Sequence, residues 1–138
     1  MNPIFKNTLA VIIGLFVGSV VNMAIILMSS SIIPPPKGAD VTTMEGLKAT
    51  IHLFQPRHFI FPFVAHALGT FAGAATTAVI AANNTTKFAL AIGAFFLLGG
   101  IINVFTLPSP IWYSIIDVVF AYLPMAYMGK KLVASKAP

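Results

Sequence analysis

The stretch that decides the fold is residues 59–82, FIFPFVAHALGTFAGAATTAVIAA, which contains no Asp, Glu, Lys or Arg. A helix needs about 20 apolar residues to cross the ~30 Å hydrocarbon core of a bilayer, and this stretch has that length. Three more stretches of the same kind lie at about 8–33, 88–107 and 111–128. The sequence therefore predicts four membrane-spanning helices, which take up most of the 138 residues.

The connections between these stretches predict how the helices are arranged. Only residues 83–87 separate the second span from the third, and only 108–110 separate the third from the fourth. Connections this short make consecutive helices antiparallel neighbours. We expect residues 1–138 to form a single all-α transmembrane domain, an up-down-up-down four-helix bundle. The first stretch exceeds the ~7–15 apolar residues of a cleavable signal, so we interpret it as a span.

Composition agrees with a membrane protein and excludes several functional classes. The chain is 58% hydrophobic and only 8% charged, whereas soluble domains contain about 25% charged residues. It contains no cysteine, which excludes disulfides, thiolate metal sites and a thiol nucleophile. The net charge of +5 comes from residues that flank apolar segments. We therefore expect the lipid bilayer as a partner and no nucleic acid.

The basic residues predict the orientation of the chain in the membrane. Five lie on the side that holds both termini, namely Lys6, Lys87, Lys130, Lys131 and Lys136. Three lie on the other side, namely Lys37, Lys48 and Arg57, together with the acidic Asp40 and Glu45. Since cytoplasmic loops are enriched in Lys and Arg, we expect both termini in the cytoplasm of a bacterial cell, with the chain in the inner membrane.

The longest connection, residues 34–58, lies between the first and second spans, and we call it the cap. Its apolar residues recur at helical spacing, at Met44, Leu47, Ile51 and Phe54, whereas Glu45, Lys48 and His52 fall on another face. This pattern predicts a short amphipathic helix over 42–54, with Thr42 or Thr43 as its N-cap and Pro56 beyond its end. We expect it to lie at the outer surface and to cover the mouth of the bundle.

Small residues recur every four positions in two of the spans. The first span carries Ala10, Gly14, Gly18 and Asn22, and the second carries Ala65, Gly69, Gly73 and Thr77. Small side chains let two membrane helices approach closely. The stripes are explained either by packing within the chain or by an interface between copies in a homo-oligomer.

Each predicted span also carries one polar residue at or above the middle of the membrane: Asn22, His66, Asn103 and Asp117. A carboxylate inside a membrane costs roughly 2.5–3.5 kcal/mol even on a lenient scale, so Asp117 requires a partner. His66 lies at a matching depth and is the best candidate. The four residues form a closed hydrogen-bond network, or line an outward-opening pocket for an ion or small ligand, or face a partner subunit.

No complete catalytic or cofactor motif is present, so we assign no catalytic residue and no cofactor. Glu45, His52, His66 and Asp117 offer nitrogen and oxygen ligands that suit zinc, iron or manganese. Their spacing is not diagnostic of any metal, and the metal stays unknown. Thr70, one turn after His66, is a candidate nucleophile, but no oxyanion hole accompanies it in the sequence.

Three hypotheses on function follow from these observations. The near absence of soluble mass favours an accessory or scaffold subunit of a larger membrane complex, and this hypothesis predicts a small-residue stripe left free in the monomer. The polar residues favour a small-ligand or metal-binding protein, including a minimal enzyme, with a pocket beneath the cap. The small size also fits an oligomeric transporter, since four short helices alone cannot enclose a wide pathway.

Overall fold

The structure, a computed structural model, describes residues 1–136, and its long elements are helices. Their bounds are α1 Pro3–Ile32, α2 Met44–Thr50, α3 Ile60–Ile80, α4 Thr85–Thr106, α5 Ile111–Phe120 and α6 Leu123–Lys136, with short 3-10 turns at Ile51–Leu53 and Pro56–Phe59. Within this described part, four helical segments are long and apolar enough to cross a membrane. The predicted all-α bundle with a short helix between the first two spans is confirmed. The protein is a small multi-pass membrane protein.

The first helix is longer than predicted at its N-terminal end. It begins at Pro3, with the Asn2 side chain accepting a hydrogen bond from the amide of Ile4, because proline at the first helical position needs no donor. It ends at Ile32, one residue before the predicted end of the first span. The side chain of Lys136, which entered the orientation argument, lies outside the described part.

Helix α3 lies at the centre of the bundle and packs against α1, α4 and α6. Its small-residue stripe faces the stripe of α1. A Cβ atom built on Gly73 would lie 2.7 Å from the carbonyl oxygen of Gly14, and one built on Gly18 would lie 2.7 Å from that of Gly69. The two backbones are therefore in direct contact, and both stripes are used within the chain.

The fourth predicted span is not one continuous helix. It divides into α5 and α6 at Ala121 and Tyr122. Pro124 explains the position of the break, because its ring nitrogen cannot donate to the carbonyl of Phe120, the last residue of α5. Pro62 also lies within a predicted span, but it is in the first turn of α3, where a missing donor interrupts no helical bond.

The cap contains the amphipathic helix predicted for it, divided into α2 and the 3-10 turn that follows. Thr43 is the N-cap, since its side chain accepts from the amide of Gly46 at 2.9 Å. Ile51 is buried with Phe59 and Tyr113, and this cluster anchors the cap on the bundle. The cap therefore has its apolar face on the membrane domain.

The entry of the chain into α2 is held by Asp40, and this contact makes the cap sensitive to acid. The hydroxyl and the amide of Thr42 donate to Asp40 Oδ1 at 2.6 and 2.9 Å, and these bonds lower the pKa of Asp40. A carboxyl with a lowered folded-state pKa stabilises the fold above its unfolded-state pKa, and this contribution is lost as the pH falls through the folded-state value. We expect amide hydrogen exchange in α2, measured relative to the intrinsic rate at each pH, to accelerate below pH ~4.

An Asp40→Asn variant is the control for this pH dependence. Its amide oxygen still accepts from Thr42 but does not titrate, so exchange in its α2 should lack the acid-induced rise. The same rise in both proteins would contradict the assignment to Asp40.

Candidate functional site

Three side chains form a hydrogen-bonded group inside the bundle. His66 Nδ1 on α3 lies 2.7 Å from Asp117 Oδ1 on α5, and the Tyr122 hydroxyl donates to Asp117 Oδ2 at 2.8 Å. The predicted pairing of His66 with Asp117 is therefore present. In a neutral imidazole paired with an ionised carboxylate, which only accepts hydrogen bonds, the proton is on Nδ1 and Nε2 is an acceptor without a protein partner.

Burial differs across this group in a way that matters for binding. The Asp117 side chain is 6% exposed and that of His66 is 21% exposed. Two donors compensate the desolvated carboxylate, and the ring of Tyr122 stacks on the imidazole with centroids 5.8 Å apart. Asp117 and Tyr122 therefore position the imidazole, and His66 is the member that an occupant can reach.

Tyr122 was not predicted as part of the site, and the helix break explains why. Positions five apart on a continuous helix are separated by about 140° and do not share a face. Because α5 ends at Phe120 and α6 begins at Leu123, Tyr122 leaves the helical path and reaches back to Asp117. The only sequence signal for this geometry is Pro124, which marks the break.

A cavity of about 250 Å³, which we call the cap cavity, lies beneath α2 and beside His66. Its roof consists of the cap residues Met44, Leu47, Ile51 and Phe54. Its polar walls include Asn103, Ser114 and Asp117. The cap thus covers the polar group, as the amphipathic pattern predicted.

A second cavity of about 420 Å³, which we call the lateral cavity, lies between α1 and α4. Asn22, Thr70 and Tyr122 line it. His66, Gly100 and Asn103 line both cavities. The imidazole therefore lies on the wall that the cap cavity and the lateral cavity share.

The two asparagines are not part of the hydrogen-bonded group. In the described part of the chain, the carboxamides of Asn22 and Asn103 make no hydrogen bond to protein, although both line the lateral cavity. Of the four polar residues, only His66 and Asp117 are joined by a hydrogen bond, so the interpretation of all four as a closed network is wrong. Thr70 Oγ1 is a further buried polar atom without a partner, and Thr70 also lines this cavity.

The remaining candidates lie apart from His66. Glu45 and His52 are exposed on the outer face of the cap, and neither lines the cap cavity or the lateral cavity. Across residues 1–136 no three His, Asp or Glu side chains come together in a way that could hold a metal ion. The metal-ligand set considered from the sequence is therefore not assembled in this fold.

The site thus offers a directed imidazole acceptor and two unpaired carboxamides in a largely apolar chamber, which suits binding of a small molecule with both donor and acceptor atoms. Comparison of the chain with protein-family models, with curated proteins and with solved structures gave no match. The function is therefore inferred from the residues that line this site.

Proposed function

We propose that the chain is a ligand-binding membrane protein whose site is formed by His66, Asn22 and Asn103. The observation that carries the proposal is the set of polar groups without a protein partner that line two adjacent cavities. Nε2 of His66 and both carboxamides have no protein partner in the described structure. Asp117 and Tyr122 hold the imidazole in place.

Leaving these polar groups without hydrogen bonds would cost free energy. Asn22 and Asn103 are partly exposed and line the same cavity, and within the hydrocarbon region an amide that finds neither water nor ligand there costs several kcal/mol. A water molecule occupies about 30 Å³ of liquid volume. The lateral cavity, at about 420 Å³, therefore has the size of a small-ligand site.

The alternative of an accessory or scaffold subunit, which the near absence of soluble mass favours, predicts a small-residue stripe left free in the monomer. The stripes of α1 and α3 contact each other through Gly14, Gly18, Gly69 and Gly73, so neither is available for a partner. The oligomeric-transporter hypothesis has no further support in the geometry. For these reasons we place ligand binding first.

We further propose that the protein resides in a bacterial inner membrane with both termini in the cytoplasm. The excess of basic residues on the side of the termini supports this orientation. The cap and the cap cavity would then face the extracytoplasmic side. The ligand site would lie in that half of the bilayer.

Native mass spectrometry of the protein, extracted gently from its own membrane, tests the proposal. We expect the wild-type chain to carry one additional small mass, and we expect Asn103→Leu to lose it, because the substitution removes a carboxamide that lines both cavities. Phe105→Leu is the matched control on the same helix, since Phe105 is 86% exposed and faces lipid.

The outcomes separate the hypotheses. A mass present in the wild type and in Phe105→Leu but absent in Asn103→Leu supports the ligand site. A bare wild-type chain, or a mass that Asn103→Leu retains, rejects it. A chain that carries a stoichiometric protein partner but no small-molecule mass would favour the accessory-subunit hypothesis.

A further inference from the structure

We infer that the ligand is a membrane-dissolved amphiphile with a neutral hydroxyl head group, which reaches His66 from the bilayer through the gap between α1 and α4. This inference rests on the proposed function and names the class of ligand. Its head group would occupy the chamber at His66, and its apolar tail would leave between the two helices.

The mouth of the lateral cavity lies well inside the ends of the membrane-spanning helices. Residues at the mouth of the lateral cavity include Met23 and Ile102, each 53% exposed, and Gly99, which is also exposed. At 1.5 Å per residue, Gly99 lies about 10 Å inside the end of α4, and Met23 lies about 14 Å inside the end of α1. At these depths the surroundings are acyl chains, so the cavity opens to lipid.

The packing of the helices keeps the gap between α1 and α4 open. The backbone contacts of Gly14 and Gly18 hold α1 on α3, whereas α1 packs only sparsely against α4. A Cβ atom on Gly99 would have no atom within 4 Å, whereas one on Gly100 would lie 2.5 Å from the Tyr122 hydroxyl. Gly100 thus packs inward on the polar group, and Gly99 leaves the mouth open.

The polar groups of the site indicate the chemistry of the head group that would bind there. Nε2 of His66 accepts a hydrogen bond, and the carboxamides of Asn22 and Asn103 both donate and accept. Thr70, 1% exposed, adds an unpartnered hydroxyl on the same wall. Among the described residues no Lys or Arg lines either cavity, which disfavours a phosphate or carboxylate head. A hydroxyl can donate to Nε2 and accept from one of the amides, so it matches part of this set.

A photoreactive long-chain alcohol tests the inference. The probe carries a diazirine in its chain and a terminal alkyne, and its matched partner is the methyl ether of the same molecule, which cannot donate to Nε2. The wild-type protein in phosphatidylcholine nanodiscs would be photolabelled with each, and the labelled peptides mapped. We expect the alcohol to label the α1 and α4 residues at the mouth about tenfold more than the ether, since the ether forfeits a hydrogen bond in a dry site.

Two variants localise the path. Gly99→Phe would fill the open space at the mouth and should lower labelling to the level of the ether. Leu98→Phe places the same side chain on an adjacent lipid-facing position, 58% exposed, and should leave labelling unchanged.

Equal labelling by alcohol and ether, unaffected by Gly99→Phe, would reflect annular lipid contact and overturn the inference. A native ligand mass that Asn103→Leu loses but Gly99→Phe keeps would also overturn it, while the proposed function stands. A wild-type chain that carries no native mass rejects the proposed function, and this result is read before any probe is added.

Discussion

Replacing Gly73 by valine is expected to separate α1 from the rest of the bundle and to lower the free energy of unfolding by about 3 kcal/mol. The Cβ atom of the new side chain would lie 2.7 Å from the carbonyl oxygen of Gly14 and 3.3 Å from Cγ2 of Ile92. The nearer atom belongs to the backbone, so no change of rotamer relieves the overlap. Since α1 packs chiefly on α3, it has no second surface that would hold it.

Gly99→Val is the matched control, because it makes the same substitution in a membrane helix where nothing lies within 4 Å. The measurement is the midpoint of unfolding in a titration from mild detergent into denaturing detergent, followed by circular dichroism. We expect Gly73→Val to shift the midpoint strongly and Gly99→Val to stay near the wild type. Similar midpoints for the two variants would show that the α1–α3 contact does not stabilise the bundle.

This contact also shows which parts of the fold a sequence can predict. Gly14 and Gly73 belong to stripes that recur every four residues, and this spacing places small residues on one face of each helix whatever the rest of the chain does. Helix length and loop length likewise follow from bilayer thickness and chain geometry. The ends of helices are less predictable, as the start of α1 at Pro3 shows, because caps depend on single side chains.

The candidate site was predictable only where an energetic penalty demanded a partner. A carboxylate in the membrane requires a donor, and the matching depth of His66 identified it as the partner of Asp117. Depth does not give helix rotation, so the sequence could not decide whether Asn22 and Asn103 join that pair or face a cavity. The contact of Tyr122 with Asp117 could not be predicted from the sequence, because it depends on the break between α5 and α6.

Replacing Asp117 by asparagine is expected to weaken ligand binding at least tenfold while the bundle stays folded. The carboxylate accepts from both His66 Nδ1 and the Tyr122 hydroxyl. An asparagine amide keeps the size of the side chain, but its NH₂ group can donate to Nδ1, which moves the imidazole proton to Nε2. The imidazole then presents a donor in place of an acceptor, and the charge that oriented it is gone.

The position of the imidazole proton can be measured directly by NMR of protein labelled with ¹⁵N-histidine, and the chain contains only three histidines. His58 is an internal reference, because its Nδ1 accepts from the amide of Gln55 at 2.9 Å, so its neutral ring carries the proton on Nε2. We expect the wild-type His66 to show the opposite tautomer and Asp117→Asn to convert it to that of His58. The signals of His58 should not change, which would show that the fold is intact.

Tyr122→Phe separates orientation of the ring from loss of the carboxylate. It removes the donor to Oδ2 but leaves His66 bonded to Oδ1, so the tautomer should persist and the bound mass should fall only severalfold, by about the worth of one hydrogen bond. Asp117→Asn that retains both the proton on Nδ1 and the full ligand mass would show that the pair is structural. Because Asp117→Asn removes the carboxylate and Tyr122→Phe keeps it, the difference between the two variants measures the contribution of the carboxylate to ligand binding.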